Sequence, residues 1–342
     1  MEVAKMIGLT RQRSMSLRRV FVRAFLLTLA LFFPLFLLAS DYPSRAIKVI
    51  IGFSSGGSTD AIGRFYAQKL SEELHVPVVV ENKPGAAQLL AIKTLIGAPP
   101  DGYTLYVGTA SAFSQGPGVM KDLPYSPMRD FSFISLMAKA PGVIFVSSDL
   151  PIHNIKELID YANANSGRLN YGSSGVGSAS HLLTEYLLQL TKLKMAHIPY
   201  KSDADIVREM MTGSVHLGIS PAQGVMSYIA SGRIRAIAVT GPKRLKSLPN
   251  VASLMESDIA GIEGLDPYTI YGLAGPPGMP SNIIEKLNTT IRRISSQPEV
   301  AANVRERMYL EPGLGNAEQF RQYVQDDLSK WSLLSKSIVL SD

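Results

Sequence analysis

No cysteine occurs anywhere in the 342 residues. Its absence removes disulfides, thiolate metal sites and cysteine nucleophiles together. It also removes lipid attachment through an N-terminal cysteine, so an exported form of this chain would be free in solution. Charge is scarce too, at 18% of residues against 46% hydrophobic, and the formal charge of +6 is unevenly placed. Residues 1–40 hold six basic side chains (Lys5, Arg11, Arg13, Arg18, Arg19, Arg23) and one acid, Glu2, leaving 28 basic against 27 acidic in the remainder. A body so close to neutral argues against nucleic acid as a partner. Metal spacing is missing as well. The five histidines (His75, His153, His181, His197, His216) contain no His-Glu-x-x-His. His181 and Glu185 lie one helical turn apart and could be half a metal site, but a surface contact is the commoner role of such a pair. No paired carboxylates sit in a strand-end turn, and Gly172 to Gly175 fits Gly-x-Ser-x-Gly only with its last glycine one residue early. The expectation is a protein without metal, cofactor or catalytic residues.

What is present begins with a basic lead running into "AFLLTLALFFPLFLLAS", Ala24 to Ser40. The apolar run from Ala24 to Ala39 has 16 residues, whereas a spanning helix needs about 20. Residues 1–40 therefore read as a signal peptide for export to the periplasm. A cut after Ser40 or Ala39 puts Leu38 or Leu37 three residues upstream, where a small residue is usual, so an uncleaved anchor is the alternative. Synthesis from Met15 would still leave a sufficient basic lead.

After Asp41, short β-rich runs alternate with amphipathic stretches. "AIKVIIGF", "VPVVVE", "YTLYVG", "GVIFVSS", "RLNYG", "KMAHIP", "VHLGIS" and "IRAIAVT" are strand-like. "NIKELIDYANAN", with Asn154 as N-cap, and "SASHLLTEYLLQLT" are helical, the second with a stripe of Leu182, Leu183, Tyr186, Leu187 and Leu190. This alternation predicts an α/β protein with parallel-rich sheets flanked by helices. The C-terminal third reads as one strand in "YTIYGLAGPPGMP" followed by helices that cover the first domain, with the single Trp331 as packing. "PYKSDADI" reads as a solvated, mixed-charge loop.

One pattern returns three times, a strand, a Gly/Ser/Thr turn, then a helix: "IIGFSSGGSTD", "YVGTASAFSQG" and "NYGSSGVGSASHL". For a single turn, Gly and Ser simply suit tight βα connections; three such turns point to a binding site at strand ends. The first, Gly52 to Thr59, matches the phosphate loop Gly-x-x-x-x-Gly-Lys-Ser/Thr except that Ser58 replaces the lysine. Without that cation a triphosphate loses its main counter-charge. A carboxylate needs less, because helix N-terminal amides and hydroxyls suffice for it. Ser54, Ser55, Ser58 and Thr59 are the candidate donors; alternatively Thr59 or Asp60 only caps the following helix.

The ordered segments "YPSRAIKVIIGFSSGGSTD", "VVVENKPGA", "PPDGYTLYVG", "LNYGSSGVGSASHLLTE", "HIPYK", "GRIRAIAVTGPKRLKSLPNV" and "GLAGPPGMP" resemble the solute-binding receptors of tripartite tricarboxylate transporters, the Bug family, over about residues 42–335. The resemblance implies a two-lobed periplasmic binding protein of type II-like, Venus flytrap form. Lobe one would be residues 42–140 plus 266–342 and lobe two residues 141–265, with crossings near Ala138–Gly142 and Leu265–Tyr271. It implies ligand contacts from Phe53, Ser54, Ser55, Gly56, Gly57, Ser58, Thr59 and Asp60, and from Thr109, Ala110 and Ser111. In lobe two it implies Ser173, Ser174, Gly177, Ser178 and His181, then Tyr200, Lys201 and Ser202, with a further loop at Ser220 to Gln223. The chain departs from the family pattern where prolines are usual (Ser54, Ser55) and where glycines follow "PYK" (Ser202, Asp203). It also departs at His216 and at Gly85-Ala86-Ala87-Gln88. An Asp203 facing the cleft would favour a ligand with an amine. The implied function is capture of a small carboxylate by a monomeric receptor that serves permease subunits of a tripartite transporter. A sensor that engages a signalling ectodomain is the alternative, and a periplasmic serine hydrolase a more distant one.

Overall fold

The computed structural model describes residues 42–85, 88–120, 122–262 and 268–335. The expected signal peptide lies outside these, as do Ala86, Ala87 and residues 263–267 at the second expected crossing. Residues Arg45–Asp342 form one compact unit. No helix among the described residues is long and apolar enough to cross a membrane.

Two sheets organise this unit, and they share one strand. In the first, β1 (Ile47–Ile51) pairs in parallel with β2 (Val78–Asn82) and β3 (Thr104–Thr109). In the second, β5 (Asn170–Ser173) pairs in parallel with β6 (Ala196–Pro199) and β7 (Leu217–Pro221). The 16-residue β4 (Ser132–Ser147) belongs to both. Ser132 to Pro141 pair antiparallel with β9 (Tyr268–Gly275), itself next to β3. Gly142 to Ser147 pair antiparallel with β7 on one side and β8 (Ile234–Val239) on the other. A two-residue β10 (Glu311–Pro312) closes the other edge of β4. Parallel pairing thus holds for the βα units, while the strands that cross between sheets run antiparallel to their neighbours.

Each βα unit forms because a nearly continuous apolar strand feeds a helix with one buried stripe. Ile47, Val49, Ile50 and Ile51 of β1 are all buried. The chain then turns through Gly56, whose φ of 87° lies in the left-handed region that favours glycine, and enters α1 (Ser58–Leu74). There Ile62, Tyr66, Ala67 and Leu70 cover the sheet. The other principal helices are α2 (Leu89–Ile96), α3 (Ile155–Ala164), α4 (Ala179–Thr191), α5 (Asp203–Met211), α6 (Ala222–Ala230), α7 (Ser281–Ser296) and α8 (Ala317–Leu334). Two readings change here. The segment expected to be a solvated loop is the start of α5, capped by Ser202, whose hydroxyl accepts from the Asp205 N–H. It is helical because Ile206, Val207 and Met210 fall on one face and are buried. His181, expected in a surface contact with Glu185, is fully buried.

The cores follow the two sheets. Tyr106, Phe113, Phe131, Phe133 and Phe320 form an edge-to-face aromatic cluster beneath the first. Leu182, Leu183, Tyr186 and Leu187 anchor the core of the second. Helix α8 covers β4 and the π-helical turn Ser111–Gln115. It also inserts the fully buried Trp331 against Tyr186, with ring centres 6.5 Å apart.

Candidate functional site

The parallel strands of both sheets end at the same place. The turns after β1, β3, β5 and β6, together with the end of β7, surround a chamber of about 60 Å³, room for a few water molecules. The first sheet contributes Phe53, Ser54, Gly57, Ser58, Thr59, Thr109 and Ser111. The second contributes Ser174, Ser178, Ala179 and Ser180, then Lys201, Ser202 and Asp203, then Ile219, Ser220 and Pro221. The crossing strands add Gly142, Thr269 and Tyr271. A second chamber of about 520 Å³ adjoins it, sharing Phe53, Ser54, Ser111, Ser174, Ser178 and Lys201. Its further walls include Met120, Leu123, Tyr125 and Val176.

Four helices begin at the inner chamber: α1 at Ser58, α4 at Ala179, α5 at Asp203, and α6 just after Pro221. The first N–H groups of a helix have no partner within it and carry the positive end of the helix dipole. Their convergence makes a site for an anion without a cationic side chain fixed at its centre. Lys201, the basic residue lining both chambers, is exposed and forms no ion pair among the described residues.

Hydroxyls fill the spaces between these helix ends, and several are already oriented. Ser111 Oγ accepts from Gln88 Nε2 at 2.8 Å and is hydrogen-bonded to Thr109 Oγ1 at 2.7 Å, with either hydroxyl able to donate. Gln88 is in turn fixed by the Tyr106 hydroxyl at 2.7 Å. Ser180 Oγ accepts from the Ser174 N–H at 3.0 Å and lies 3.1 Å from Ser178 Oγ. One contact joins the two sides of the chamber. Ser58 Oγ donates to Asp203 Oδ2 at 3.1 Å, while Ser220 Oγ donates to Asp203 Oδ1 at 2.9 Å. Burial raises the Asp203 pKa, against the two hydroxyl hydrogen bonds that lower it. Among the described residues the buried Tyr271 hydroxyl, beside Ser58, has no hydrogen-bond partner of good geometry, and burial, with Asp203 nearby, raises its pKa.

Some residues expected to touch ligand hold the walls instead. Asp60 lines neither chamber. Its carboxylate accepts from the Gly56 N–H at 2.9 Å, from Arg64 Nε and from Asn82 Nδ2, which shapes the first turn. Burial alone would raise its pKa; Arg64, Gly56 and Asn82 outweigh this and the net shift is downward. Ser55, Gly56, Ala110, Ser173 and His181 also line neither chamber, while Gly177 and Tyr200 line the outer one. Ser173 Oγ is paired with His197 Nε2 at 2.6 Å. His197 stacks on His181 with ring centres 4.0 Å apart, and His181 Nδ1 accepts from the Gly177 N–H. Burial lowers both histidine pKa values to about 4, so these rings are neutral props behind the Ser174–Ser178 turn. Tyr171 closes the stack and donates to Glu185. His216 lies outside both chambers and accepts from the Asn170 N–H. Among the described residues no group of histidine, aspartate or glutamate is placed to hold a metal ion. Asp203, Thr269 and Tyr271 are among the chamber residues that the sequence reading did not assign. Alternation along β9 places Thr269 and Tyr271 on one face, which is the only sequence signal for them.

The sequence profile of the tripartite tricarboxylate transporter family receptor (TctC) matches residues 62–340. The chain belongs to this family. The receptor is 31% identical over 303 residues to a UPF0065 protein of Cupriavidus necator from the gbd 5' region, covering 89% of this chain and 90% of the relative. It is 28% identical to the protein BugT of Bordetella pertussis over 295 residues, 86% and 89% of the two chains. Among solved structures, Rpa4515 of R. palustris with adipate superposes with a TM-score of 0.82 at 30% identity, covering 87% of this chain and 98% of that one. The periplasmic binding protein BugD superposes with 0.80 at 29% identity, covering 88% and 100%. MatC from Rhodopseudomonas palustris with bound malate gives 0.78 at 25% identity, covering 86% and 100%. The receptor therefore has the two-lobed periplasmic binding protein fold, and its family and fold are those of solute-binding proteins.

Proposed function

We propose that the protein is a periplasmic receptor that binds a small carboxylate between its lobes and delivers it to the membrane permease of a tripartite transporter. Lobe one comprises residues 42–140 plus 266–342, lobe two residues 141–265, and the chain acts as a monomer without catalytic activity or cofactor. The observation that carries this reading is the convergence of four helix N-termini and a ring of neutral hydroxyls on one small chamber. Relatives of the same fold hold adipate and malate, which are carboxylates of fitting chemistry. The ligand carboxylate docks on the Ser54–Thr59 turn, and lobe two closes with Ser174 and Ser178. Bound ligand favours the closed form only by contacts made with both lobes. The Ser173–His197 pair does not favour the hydrolase alternative, because Ser173 is fully buried and outside both chambers.

Calorimetry with adipate, malate and other small carboxylates tests the proposal. Gly57→Trp is the matching variant: a Cβ at Gly57 meets nothing closer than 3.8 Å, so the fold survives while the indole fills the chamber. Binding by the wild type and its loss in this variant are expected. A wild type that binds no carboxylate, or a folded Gly57→Trp that binds as tightly, overturns the reading. Export is tested by fractionating cells expressing the full chain.

A further inference from the structure

The inner chamber holds one carboxyl group of its own. Asp203 is the first residue of α5 and turns its carboxylate inward, between Ser58 of one lobe and Ser220 of the other. A side chain added at Gly224, on α6, would place its Cβ 2.5 Å from Asp203 Oδ2 and 2.9 Å from Ser58 Oγ, so the carboxylate is tightly walled. Among the described residues Asp203 forms no ion pair. Its nearest donors are two neutral hydroxyls, and Lys201, on the preceding turn, is exposed.

A carboxyl group inside a site built for an anion constrains what can enter, because beside a second acid it must either keep its charge against repulsion or take up a proton. A ligand carboxylate on the α1 and α4 N-termini would lie close to Asp203 in a chamber of about 60 Å³, and like charges at such range repel strongly outside bulk water. A second ligand carboxylate would add to that repulsion. An ammonium group beside the ligand carboxylate reverses the sign, giving Asp203 the cation it lacks through a charge-assisted hydrogen bond. It would take the position from which Ser58 Oγ now donates. We propose that Asp203 determines specificity, and that the ligand it selects is an amino-carboxylate, with a protonated amine near its carboxylate, rather than a plain di- or tricarboxylate. This rests on the carboxylate-binding reading above. The inner chamber takes the charged end, and the larger chamber, walled by Met120, Leu123, Tyr125 and Val176, takes the rest of the molecule. Discrimination works partly by rejection, since an amine-free acid leaves the Asp203 carboxyl with no cation to offset its burial.

Paired calorimetric titrations test this, with L-aspartate against succinate, L-glutamate against glutarate and L-2-aminobutyrate against butyrate, extended to the common L-amino acids, adipate and malate. In the wild type the best amine-bearing ligand is expected to bind at least about tenfold more tightly than its amine-free counterpart. Asp203→Asn keeps hydrogen-bonding partners for Ser58 and Ser220 and should remove that preference; Asp203→Ser is the second variant if the first does not fold. A wild type whose tightest ligand is succinate, adipate, malate or another amine-free acid overturns the inference and leaves the carboxylate receptor standing. A folded Asp203 variant that retains the amine preference also overturns it. No binding of any acid, aminated or not, overturns both.

Discussion

Acidification should loosen the receptor through one pair of rings before its ion-paired carboxylates begin to titrate. His181 is fully buried, and burial depresses its pKa from 6.5 to about 4. The folded state thus keeps the ring neutral while the unfolded chain takes up a proton below pH 6.5. A depressed histidine makes stability largest at neutral pH and removes it as the pH falls from about 6.5 toward 4. Between pH 7.5 and pH 5, linkage gives a loss of about 2 kcal/mol from His181 alone. His197 shifts the same way, by burial first and then by the neighbouring His181. Its partial exposure lets solvent screen the charge, so it adds roughly half as much. Asp203, whose pKa burial raises, works in the opposite sense, because the folded state takes up its proton at a higher pH than the unfolded chain does. The ion-paired carboxylates act at lower pH. Asp60, lowered from 3.8, and Glu256, lowered from 4.5 to about 2, keep their stabilising contribution until the pH falls below those unperturbed values. Urea unfolding at pH 7.5 and pH 5 should therefore show a wild-type drop to which the two rings contribute about 3 kcal/mol, less what Asp203 returns. In His181→Asn, which cannot protonate, the drop should shrink by about 2 kcal/mol, although that variant starts less stable. Equal drops in the two proteins would refute the reasoning.

Two further outcomes follow from contacts at the edges of the chamber and of the core. Gly224→Ala places a methyl group 2.5 Å from Asp203 Oδ2 and 2.9 Å from Ser58 Oγ, so the Asp203 carboxyl must move; thermal melts should fall, and ligand affinity by calorimetry should fall about tenfold, roughly 1.4 kcal/mol. Trp331→Ala removes the largest fully buried side chain and should cost about 3–5 kcal/mol in denaturant unfolding followed by circular dichroism.

The sequence makes some of this legible, and the pattern of success has physical causes. The three Gly/Ser/Thr turns could be found because helix entry constrains a few residue types over a short span, and all three border the chambers. The N-terminal half of β4 is not visible in the same way. Pro141-Gly142 punctuates "SFISLMAKAPGVIFVS" as a turn would, yet the strand runs straight through, with Pro141 opposite Tyr268 and Gly142 opposite Pro221. Asp203 was misjudged for a related reason. A polar run such as "KSDAD" reads as solvent-facing, but capping by Ser202 turns Asp203 inward and leaves Ala204 exposed. The pairing of Ser173 with His197, 24 residues apart, depends on the lateral order of β5 and β6, which no local spacing encodes.

A single strand shared by both sheets leaves little room for length variation between them. Adding or deleting one residue within β4 would exchange inward- and outward-facing positions over the rest of its length. Val143 and Phe145, or Ile144 and Val146, would then lie on the wrong side of the second sheet. Insertions that change the ligand or the partner are therefore expected at the turns after the parallel strands, while this segment keeps its count.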